Sequence, residues 1–186
     1  MSGRTKKGAL LLLILGAILM SVFNYGLEAT NTTEFCTSCH TMKTNLKELK
    51  QTVHYSNASG VHAGCADCHV PKAFIPKMQA KIMAAKDIYH EIIGTIDTPE
   101  KYEKHRWDMA SRVWAKMKAS DSRECRSCHS FERMNLEEQG KSASRKHHSA
   151  PQKGKTCIDC HKGIAHEEPD EPEEEEASDK KDKQDG

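Results

Sequence analysis

The apolar residues of the chain are concentrated in one uncharged run near the N-terminus. Positions 9–23 (ALLLLILGAILMSVF) carry no charge, and extending the run to Leu27 gives 19 residues. A helix of about 20 apolar residues spans the hydrocarbon core of a bilayer. The run therefore predicts a transmembrane anchor helix over residues 9–27.

Polar residues before and after this run indicate how it lies in a membrane. Arg4, Lys6 and Lys7 precede it, and positive charges keep their end of a membrane helix in the cytoplasm. The alternative is a cleaved signal peptide, which has a shorter apolar region and a small-x-small cleavage site. Because Leu27 is too bulky for that site, the pattern favours a retained anchor, with the rest of the chain in the periplasm of a bacterium.

Two helices are predicted in the middle of the chain, where apolar residues recur with the 3.6-residue period of an α-helix. The first covers residues 73–93, with apolar positions at Ile75, Met78, Ile82, Tyr89 and Ile92. Thr98 and Pro99 match the N-cap and first position of a second helix, which extends to about Met117. One face of the second helix comprises Tyr102, Met109, Val113, Trp114 and Met117. We expect its Met and Trp side chains to pack and not to act as metal ligands.

The eight cysteines form four C-x-x-C pairs, and a histidine follows each pair directly. The motif residues are Cys36, Cys39 and His40; Cys65, Cys68 and His69; Cys125, Cys128 and His129; Cys157, Cys160 and His161. C-x-x-C-H is the attachment signature of c-type haem: two thiols bind the porphyrin covalently and the histidine is held against the iron. Zinc ribbons need no histidine after each pair, and disulfide frameworks rarely space their cysteines so uniformly. The sequence therefore predicts four covalent c-type haems.

The spacing of the motifs indicates an internal repeat. The first cysteines of the first two motifs are 29 residues apart and those of the last two are 32 apart, whereas 60 residues separate the second motif from the third. Each pair of motifs also encloses spare histidines, His54 in the first pair and His147 and His148 in the second. We therefore predict two haem-pair units joined by the helical spacer.

Composition and charge agree with a chain that holds cofactors. Hydrophobic residues make up 37% and aromatic residues 5% of the sequence, so its own core would be thin, and porphyrins would supply the missing apolar bulk. Residues 167–186 contain 11 acidic and 3 basic side chains, so the remainder carries +9 of a net charge of +1. Haem propionates account for this basic excess better than nucleic acid, for which the sequence has no motif. Residues 167–186 predict a disordered acidic tail.

Each low-spin c-type haem needs a second axial ligand, and histidine is the usual one. The histidines outside the motifs are His54, His62, His90, His105, His147, His148 and His166. His166 follows His161 by five residues, too few for both to bind one iron, so it would serve a neighbouring haem. His54 and the pair at 147–148 are favoured by their matching places in the two units.

Several longer strings resemble the NapC/NirT family of membrane-anchored tetrahaem quinol dehydrogenases. They are HYSNASGV (54–61), CADCHVPK (65–72), GTIDTPEKYE (94–103), DSRECRSCHSFERM (121–134) and KTCIDCHKGIAH (155–166). The resemblance covers about 160 of the 186 residues, including the anchor, and goes beyond what haem attachment requires. It is closest to NapC-like members, which pass electrons to a periplasmic nitrate reductase, whereas NrfH-like members donate electrons to a cytochrome c nitrite reductase.

The resemblance implies second ligands for three of the haems. His54 matches the ligand of the third haem, and His166 that of the second. His147 and His148 lie where NapC-like members supply the ligand of the fourth haem, and only one of two adjacent residues can face that iron. NrfH-like proteins borrow this ligand from their partner, so its presence here favours a NapC-like protein.

The resemblance also implies that the first haem has a different environment. Met42 matches a methionine that binds this haem in NrfH-like members, which would leave His40 unbound and one face of the haem open. Asp87 matches a carboxylate at the quinol site, and Lys81 lies near the position of a basic residue there. Quinol oxidation releases two electrons and two protons, so a proton acceptor beside this haem fits the reaction. The alternatives are that His40 binds the iron while Met42 packs, and that Asp87 is a solvated helix residue.

Together, these features predict a mainly α protein with a single N-terminal transmembrane helix and a small periplasmic tetrahaem cytochrome c domain. Its parts are a basic cytoplasmic N-terminus (1–8), the anchor (9–27), the haem domain (28–166) and the acidic tail (167–186). The predicted function is oxidation of quinol at the bacterial cytoplasmic membrane and electron transfer to a periplasmic reductase, with nitrate reductase as the first choice. The alternatives are an NrfH-like donor and a tethered electron carrier without a quinol site. The expected partners are quinol, the reductase and the lipid bilayer, with homo-oligomerisation left open.

Overall fold

A computed structural model describes residues 3–172, and the regular structure of this part of the chain is helical. Its α-helices are α1 (Gly3–Ala29), α2 (Thr33–Cys36), α3 (Met42–Leu49), α4 (Cys65–His69), α5 (Phe74–Ile92), α6 (Pro99–Ala119), α7 (Arg123–Arg126) and α8 (Lys141–Ser149). Short 3-10 helices cover Phe131–Arg133, Pro151–Lys153 and Cys157–Asp159. The predicted mainly α fold is confirmed for these residues. Positions 173–186 of the predicted acidic tail lie outside the described residues.

The first helix contains the predicted apolar segment. It is the one helix among residues 3–172 that is long and apolar enough to cross a membrane. Its large apolar side chains between Leu10 and Phe23 are exposed, with no protein packed over them. This is compatible with a single-pass membrane anchor.

The two predicted spacer helices are present as α5 and α6, within two residues of the predicted bounds. Thr98 is the N-cap of α6, where its hydroxyl oxygen accepts a hydrogen bond from the backbone amide of Lys101, and Pro99 occupies the first helical position. Between the helices, Gly94 has a φ of +76°. Glycine adopts this left-handed conformation without the steric cost of a Cβ atom, and it lets the chain reverse out of α5.

The buried core of the protein is thin, as the composition predicts. Its buried apolar residues are Leu49, Pro71, Ile96, Tyr102 and Ile158 in the described part of the chain. Tyr102 on α6 donates its hydroxyl to the side-chain oxygen of Asn45 on α3 at 2.7 Å. α6 also packs against the 3-10 helix that contains Ile158. The core therefore joins the segments after the first motif to the fourth motif.

A buried charge cluster holds the segment after the fourth motif against α3 and α6. Arg106 is only 9% exposed, and its guanidinium donates to the carboxylate of Glu48 at 2.6 Å and to the carbonyl of Glu167 at 3.0 Å. The amide of Glu167 donates to the same Glu48 carboxylate at 3.0 Å. A buried charge is tolerated only when it is paired and hydrogen-bonded, so this cluster fixes the backbone next to His166.

Candidate haem-binding site

The four C-x-x-C-H motifs alternate between two local structures. In the first and third motifs, Ser38 and Ser127 each donate a hydroxyl hydrogen bond of 2.7 Å to the carbonyl of the residue before the first cysteine. In the second and fourth motifs the same position holds Asp67 and Asp159. Their carboxylates accept from the amide of the residue before the first cysteine, at 2.9 and 2.8 Å. The order Ser, Asp, Ser, Asp supports the predicted repeat of two units, and it is a sequence signal that motif spacing alone did not reveal.

Within each unit, the first cysteines of the two motifs are neighbours. α2, which contains Cys36, packs against α4, which contains Cys65, and burial together with the nearby Cys157 thiol raises the pKa of Cys125. The eight cysteines all lie within the described residues, and none of them forms a disulfide there. The two units meet where α4, which carries the second motif, packs against α7, which carries the start of the third. Haem-attachment positions are therefore grouped in pairs along the molecule.

One pair of facing histidine rings joins the second motif to the residue after the fourth. The ring centres of His69 and His166 are 6.2 Å apart, with 27° between the ring planes. Two imidazoles on opposite sides of one iron, with bonds of about 2 Å, hold their ring centres about 6 Å apart. Burial lowers the pKa of His166, which favours the neutral imidazole that binds a metal. The spacing and protonation of this pair fit a haem iron.

Sequence reasoning missed a carboxylate that lies beside this pair. The Glu48 carboxylate is 3.9 Å from Nδ1 of His166, and it is held there by Arg106 and by the amide of Glu167. Groups around a metal-binding histidine orient its ring and tune its basicity. No sequence spacing links positions 48, 106 and 166, because the contact is made only by the folded chain.

A second facing pair joins the two units. The ring centres of His54 and His129 are 6.2 Å apart, and the ring planes are nearly perpendicular at 80°. Nδ1 of His54 is buried without a hydrogen-bond partner among the described residues. Buried polar atoms in folded proteins almost always have a partner, so this unmatched nitrogen is compatible with a group bound beside it. The donor set therefore fits a haem that is attached at the third motif.

The third facing pair distinguishes between the two adjacent histidines of α8. His147 is half-buried, and its ring centre lies 5.8 Å from that of His161, with 25° between the planes. Nδ1 of His147 donates to the side-chain oxygen of Gln139 at 2.6 Å, an arrangement that leaves Nε2 available to a metal. His148, the next residue, is exposed. Of the two candidates, the structure brings His147 to the fourth motif.

The histidine of the first motif is directed elsewhere. Nε2 of His40 donates to the backbone carbonyl of Asp97, and its Nδ1 lies 3.5 Å from the carboxylate of Glu91. The other oxygen of Glu91 accepts a hydrogen bond from the hydroxyl of Thr41 at 3.0 Å. Among the described residues no second histidine ring faces His40. Nε2 of His40 donates its hydrogen to a backbone carbonyl, so this nitrogen offers no lone pair to an iron in this arrangement.

Met42 is the first residue of α3 and lies two positions after His40. It is half-buried, and its sulfur accepts a hydrogen bond from the side-chain amide of Asn45 at 3.7 Å. Asn45 is in turn held by the hydroxyl of Tyr102. The thioether is thus fixed beside the first motif by two neighbouring polar side chains, and it is a soft donor of the kind that binds haem iron.

Lys81 and Asp87 lie on α5 and leave the helix on different sides. The ammonium of Lys81 donates to the carbonyl and hydroxyl oxygens of Thr30 at 3.0 and 2.7 Å and to the carbonyl of Leu27 at 3.4 Å. It therefore caps the C-terminal end of α1, where helix carbonyls lack partners. Burial lowers the pKa of this ammonium. Asp87 is exposed and lies about 120° around the helix from Lys81.

The remaining histidines contact residues outside the four motifs. The ring of His62 lies 5.9 Å from that of Tyr55, Nδ1 of His90 is 3.3 Å from the hydroxyl of Thr95, and Nδ1 of His105 donates to the carbonyl of Lys101 at 2.8 Å. In the part of the chain that the structure describes, none of these three rings faces a motif histidine.

Two cavities adjoin the motifs of the second unit. One of about 400 Å³ is lined by Cys128 and His129 of the third motif together with Arg126 and Arg133. Another, of about 300 Å³, lies between the tryptophans of α6 and the fourth motif, with Lys118 and Lys162 on its lining. Aromatic faces fit a porphyrin, and basic side chains fit its carboxylates. The residues present therefore suit c-type haem in chemistry as well as in spacing.

The chain is similar to known cytochromes along nearly its whole length. A sequence model of the NapC/NirT cytochrome c family, N-terminal region, matches residues 3–171. A protein of Allochromatium vinosum described as a tetraheme cytochrome-c type is 57% identical over 86% of each chain. Cytochrome c-type protein NapC of Escherichia coli K12 is 49% identical over 90% of this chain and 85% of its own. The denitrification system component NirT of Stutzerimonas stutzeri is 48% identical over 91% of this chain and 86% of its own.

No solved structure matches the chain. The family assignment therefore depends on the sequence comparison, which extends over all four haem-attachment motifs and the apolar helix before them. The chain belongs to the NapC/NirT cytochrome c family, whose members are tetrahaem c-type cytochromes.

Proposed function

We propose that this protein oxidises membrane quinol and transfers the electrons to a soluble periplasmic reductase. The observation that carries the proposal is the arrangement of the first motif. Its histidine is held by Asp97 and Glu91, Met42 lies beside it, and the motif follows the apolar helix α1 directly. A donor dissolved in the bilayer reaches this motif first, so a distinct environment there suits the site of quinol oxidation.

The facing rings indicate which residues would hold each haem iron. The pairs are His69 with His166, His129 with His54, and His161 with His147. The thioether of Met42 is assigned to the haem of the first motif. When bound, each haem supplies a one-electron carrier, and a methionine ligand raises its potential relative to two histidines.

The proton chemistry is assigned to α5. Oxidation of quinol to quinone releases two electrons and two protons, and a carboxylate near the donor can accept a proton and pass it to solvent. The exposed side chain of Asp87 is the proposed acceptor. Lys81, which donates to Leu27 and Thr30, supports the site by holding α5 against the end of α1.

Nitrate reductase is the proposed electron acceptor. His147 faces His161 within one chain, so the haem of the fourth motif does not need a ligand from a partner protein, as it does in NrfH-like donors. Similarity to a NapC protein and to a denitrification component supports the same choice. A cytochrome c nitrite reductase is the alternative acceptor.

The proposed topology follows from the charges around α1. Residues 1–8 would lie in the cytoplasm because their basic side chains stay on that side of the membrane. Residues 28–166 would then form the haem domain in the periplasm, where c-type haem is attached. N-terminal sequencing of the mature protein tests whether α1 is retained, since cleavage would leave a chain that begins near Thr30.

The test of the activity uses the full-length protein, purified in detergent with its haems attached. A water-soluble quinol analogue should reduce the haems, followed by the absorbance of the reduced form, while dithionite sets the complete reduction. A tethered carrier without a quinol site would be reduced by dithionite and not by quinol, and this result would overturn the proposal. Adding periplasmic nitrate reductase with nitrate should reoxidise the haems faster than adding nitrite reductase with nitrite.

A further inference from the structure

α5 carries an exposed apolar strip along its whole length. Its residues, which we name the α5 strip, are Phe74, Ile75, Ile82, Tyr89 and Ile92 of the helix together with Ile93, which directly follows it, each between 52% and 78% exposed. With 3.6 residues per turn they fall within a sector of about 100°. A continuous apolar strip on the surface of a soluble domain marks a contact with a partner or a membrane.

A neighbouring side of α5 is attached to the rest of the protein. Lys77 pairs with Glu28 of α1 at 3.6 Å, and Lys81 donates to Thr30 after α1. Glu91 accepts a hydrogen bond from Thr41, the residue after the first motif. Positions 77, 81 and 91 lie on one side of the helix. The α5 strip is centred about 110° around the helix from these attached positions, and the contacts leave its residues exposed.

The attachment to α1 fixes the level at which α5 lies. The 20 residues from Ala9 to Glu28 span about 30 Å at 1.5 Å per residue, which equals the thickness of the hydrocarbon core of a bilayer. The Glu28–Lys77 and Thr30–Lys81 contacts thus lie at the outer boundary of that core. A helix held there by its N-terminal half begins in the headgroup region of the outer leaflet.

We infer that α5 is an interfacial helix whose apolar strip inserts into the outer leaflet of the lipid bilayer. The inference rests on the anchoring part of the proposed function. Interfacial helices combine an apolar face with lysines that keep their ammonium groups at the headgroups, and α5 carries lysines at 77, 81 and 86. Lys77 and Lys81 hold α5 at the end of α1, and both helices carry exposed apolar side chains, so lipid is the occupant that can cover both.

The inference gives α5 a positioning role for the proposed reaction. Glu91 links the C-terminal part of α5 to Thr41 and His40 of the first motif. A helix held in the headgroup region would keep this motif at the depth where quinol resides. The α5 strip would therefore set the distance between the first haem and the lipid-soluble donor.

The test uses the full-length haem-loaded protein in vesicles of phosphatidylethanolamine and phosphatidylglycerol. A small fraction of the lipid carries a photoactivatable diazirine in its acyl chain, and the labelled residues are mapped by mass spectrometry after irradiation. The expected result is labelling of α1 and of the α5 strip. Labelling of α1 with none on the α5 strip would overturn the inference, whether a second copy of the chain or the reductase covers the strip.

Two neighbouring apolar residues provide matched variants. Ile82 belongs to the α5 strip, whereas Met83, 65% exposed, lies on the flank about 100° away. Ile82→Glu should reduce the label on α5 at least threefold relative to the label on α1, and Met83→Glu should leave it unchanged. An equal effect of both changes would overturn the inference. If either variant lacks its four haems, the labelling pattern of the unsubstituted protein decides whether the α5 strip lies in the lipid.

The outcomes separate this inference from the proposed function. Labelled α1 and α5 in a protein that quinol does not reduce would remove the quinol activity and leave the interfacial helix in place. A mature chain that begins near Thr30 would show that the anchor is cleaved. If α5 is unlabelled in that protein, the interfacial helix is rejected as well. Quinol reduction without any label on α5 would keep the activity and reject the interfacial helix.

Discussion

The first C-x-x-C-H motif and the other three have the same spacing but direct their histidines differently. His69, His129 and His161 each face a second histidine ring at 5.8–6.2 Å. His40 instead donates to the carbonyl of Asp97 and lies 3.5 Å from Glu91. The attachment motif thus fixes where a haem is bound to the chain, and the surrounding helices decide which side chain is offered to the iron.

The difference arises from the neighbouring elements and not from the motif itself. The first and third motifs share the serine hydrogen bond in their turn, yet only the third has a histidine opposite its own. The first motif lies against the end of α5 and the turn before α6, which supply carboxylate and carbonyl oxygens. A histidine that meets oxygen acceptors is held as a hydrogen-bond donor, and the nearby thioether of Met42 becomes the available soft ligand.

The largest expected effect separates the two adjacent histidines of α8. His147→Ala should convert one of the four haems from low spin to high spin, because it removes the ring that faces His161. His148→Ala should leave all four unchanged, since His148 is exposed. Magnetic circular dichroism of the oxidised protein measures the change, and a high-spin haem in the His148 variant would reverse the assignment.

The angles between facing histidine rings predict the EPR signal of each low-spin haem. The mutual angle of two axial imidazoles determines the anisotropy of the EPR signal of a low-spin haem. His54→Ala should remove the most anisotropic signal, because His54 and His129 are nearly perpendicular at 80°. His166→Ala should remove a less anisotropic, rhombic signal, since its ring lies 27° from that of His69. Loss of the same signal in both variants would contradict the pairing.

The first motif can be tested by a pair of substitutions two residues apart. Met42→Ala should perturb one haem only and lower the rate of quinol-dependent reduction at least tenfold, while dithionite still reduces all four haems. His40→Ala should have a smaller effect on the spectrum, because its ring is held by Asp97 and Glu91. If His40 binds the iron, the order of the two effects will be reversed, and the first motif will resemble the other three.

Asp87→Asn tests the proton acceptor with an effect on rate and little on spectra. Positioned bases contribute typically 10²- to 10⁴-fold to proton-transfer steps, and an exposed one competes with water, so we expect a loss of about tenfold. The dependence of the rate on pH should also weaken, which a surface role would not produce. Lys86→Gln, which changes the neighbouring exposed charge, is the control and should keep both the rate and its pH profile.

Much of the molecule follows from local sequence signals. The bounds of α5 and α6 are confirmed because helix period, the Thr98 N-cap and Pro99 act within a few residues. Each haem-attachment motif is also a local signal, because its cysteines and histidine lie within five consecutive residues. The Ser–Asp alternation of the motifs was also readable in the sequence, but its meaning depends on a turn geometry that spacing alone does not provide.

The contacts that join distant segments could not be derived in this way. Periodicity identifies the apolar face of α5 but does not tell whether protein or lipid covers it, and the structure leaves that face exposed. The choice between His147 and His148 depends on how α8 is rotated toward the fourth motif. His69 and His166 are far apart in the sequence but adjacent in the fold. The spacing of the motifs did not predict such pairs, and only the family resemblance suggested them.

The smallest effect is expected from the charge cluster beside His166. Glu48→Gln leaves Arg106 buried with its main charge partner removed, and we expect a loss of about 1–3 kcal/mol in unfolding free energy. Glu103→Gln is the matched control: this carboxylate binds the same guanidinium at 3.2 Å but is 52% exposed, so its loss should cost less than about 1 kcal/mol. Thermal unfolding followed by circular dichroism measures both.

Removal of the carboxylate 3.9 Å from His166 should also raise the potential of one bis-histidine haem, whereas Glu103→Gln should not. If Glu48→Gln and Glu103→Gln lose equal stability and neither changes a haem potential, the prediction is wrong. Glu48 would then act as an ordinary surface charge, and packing alone would position His166.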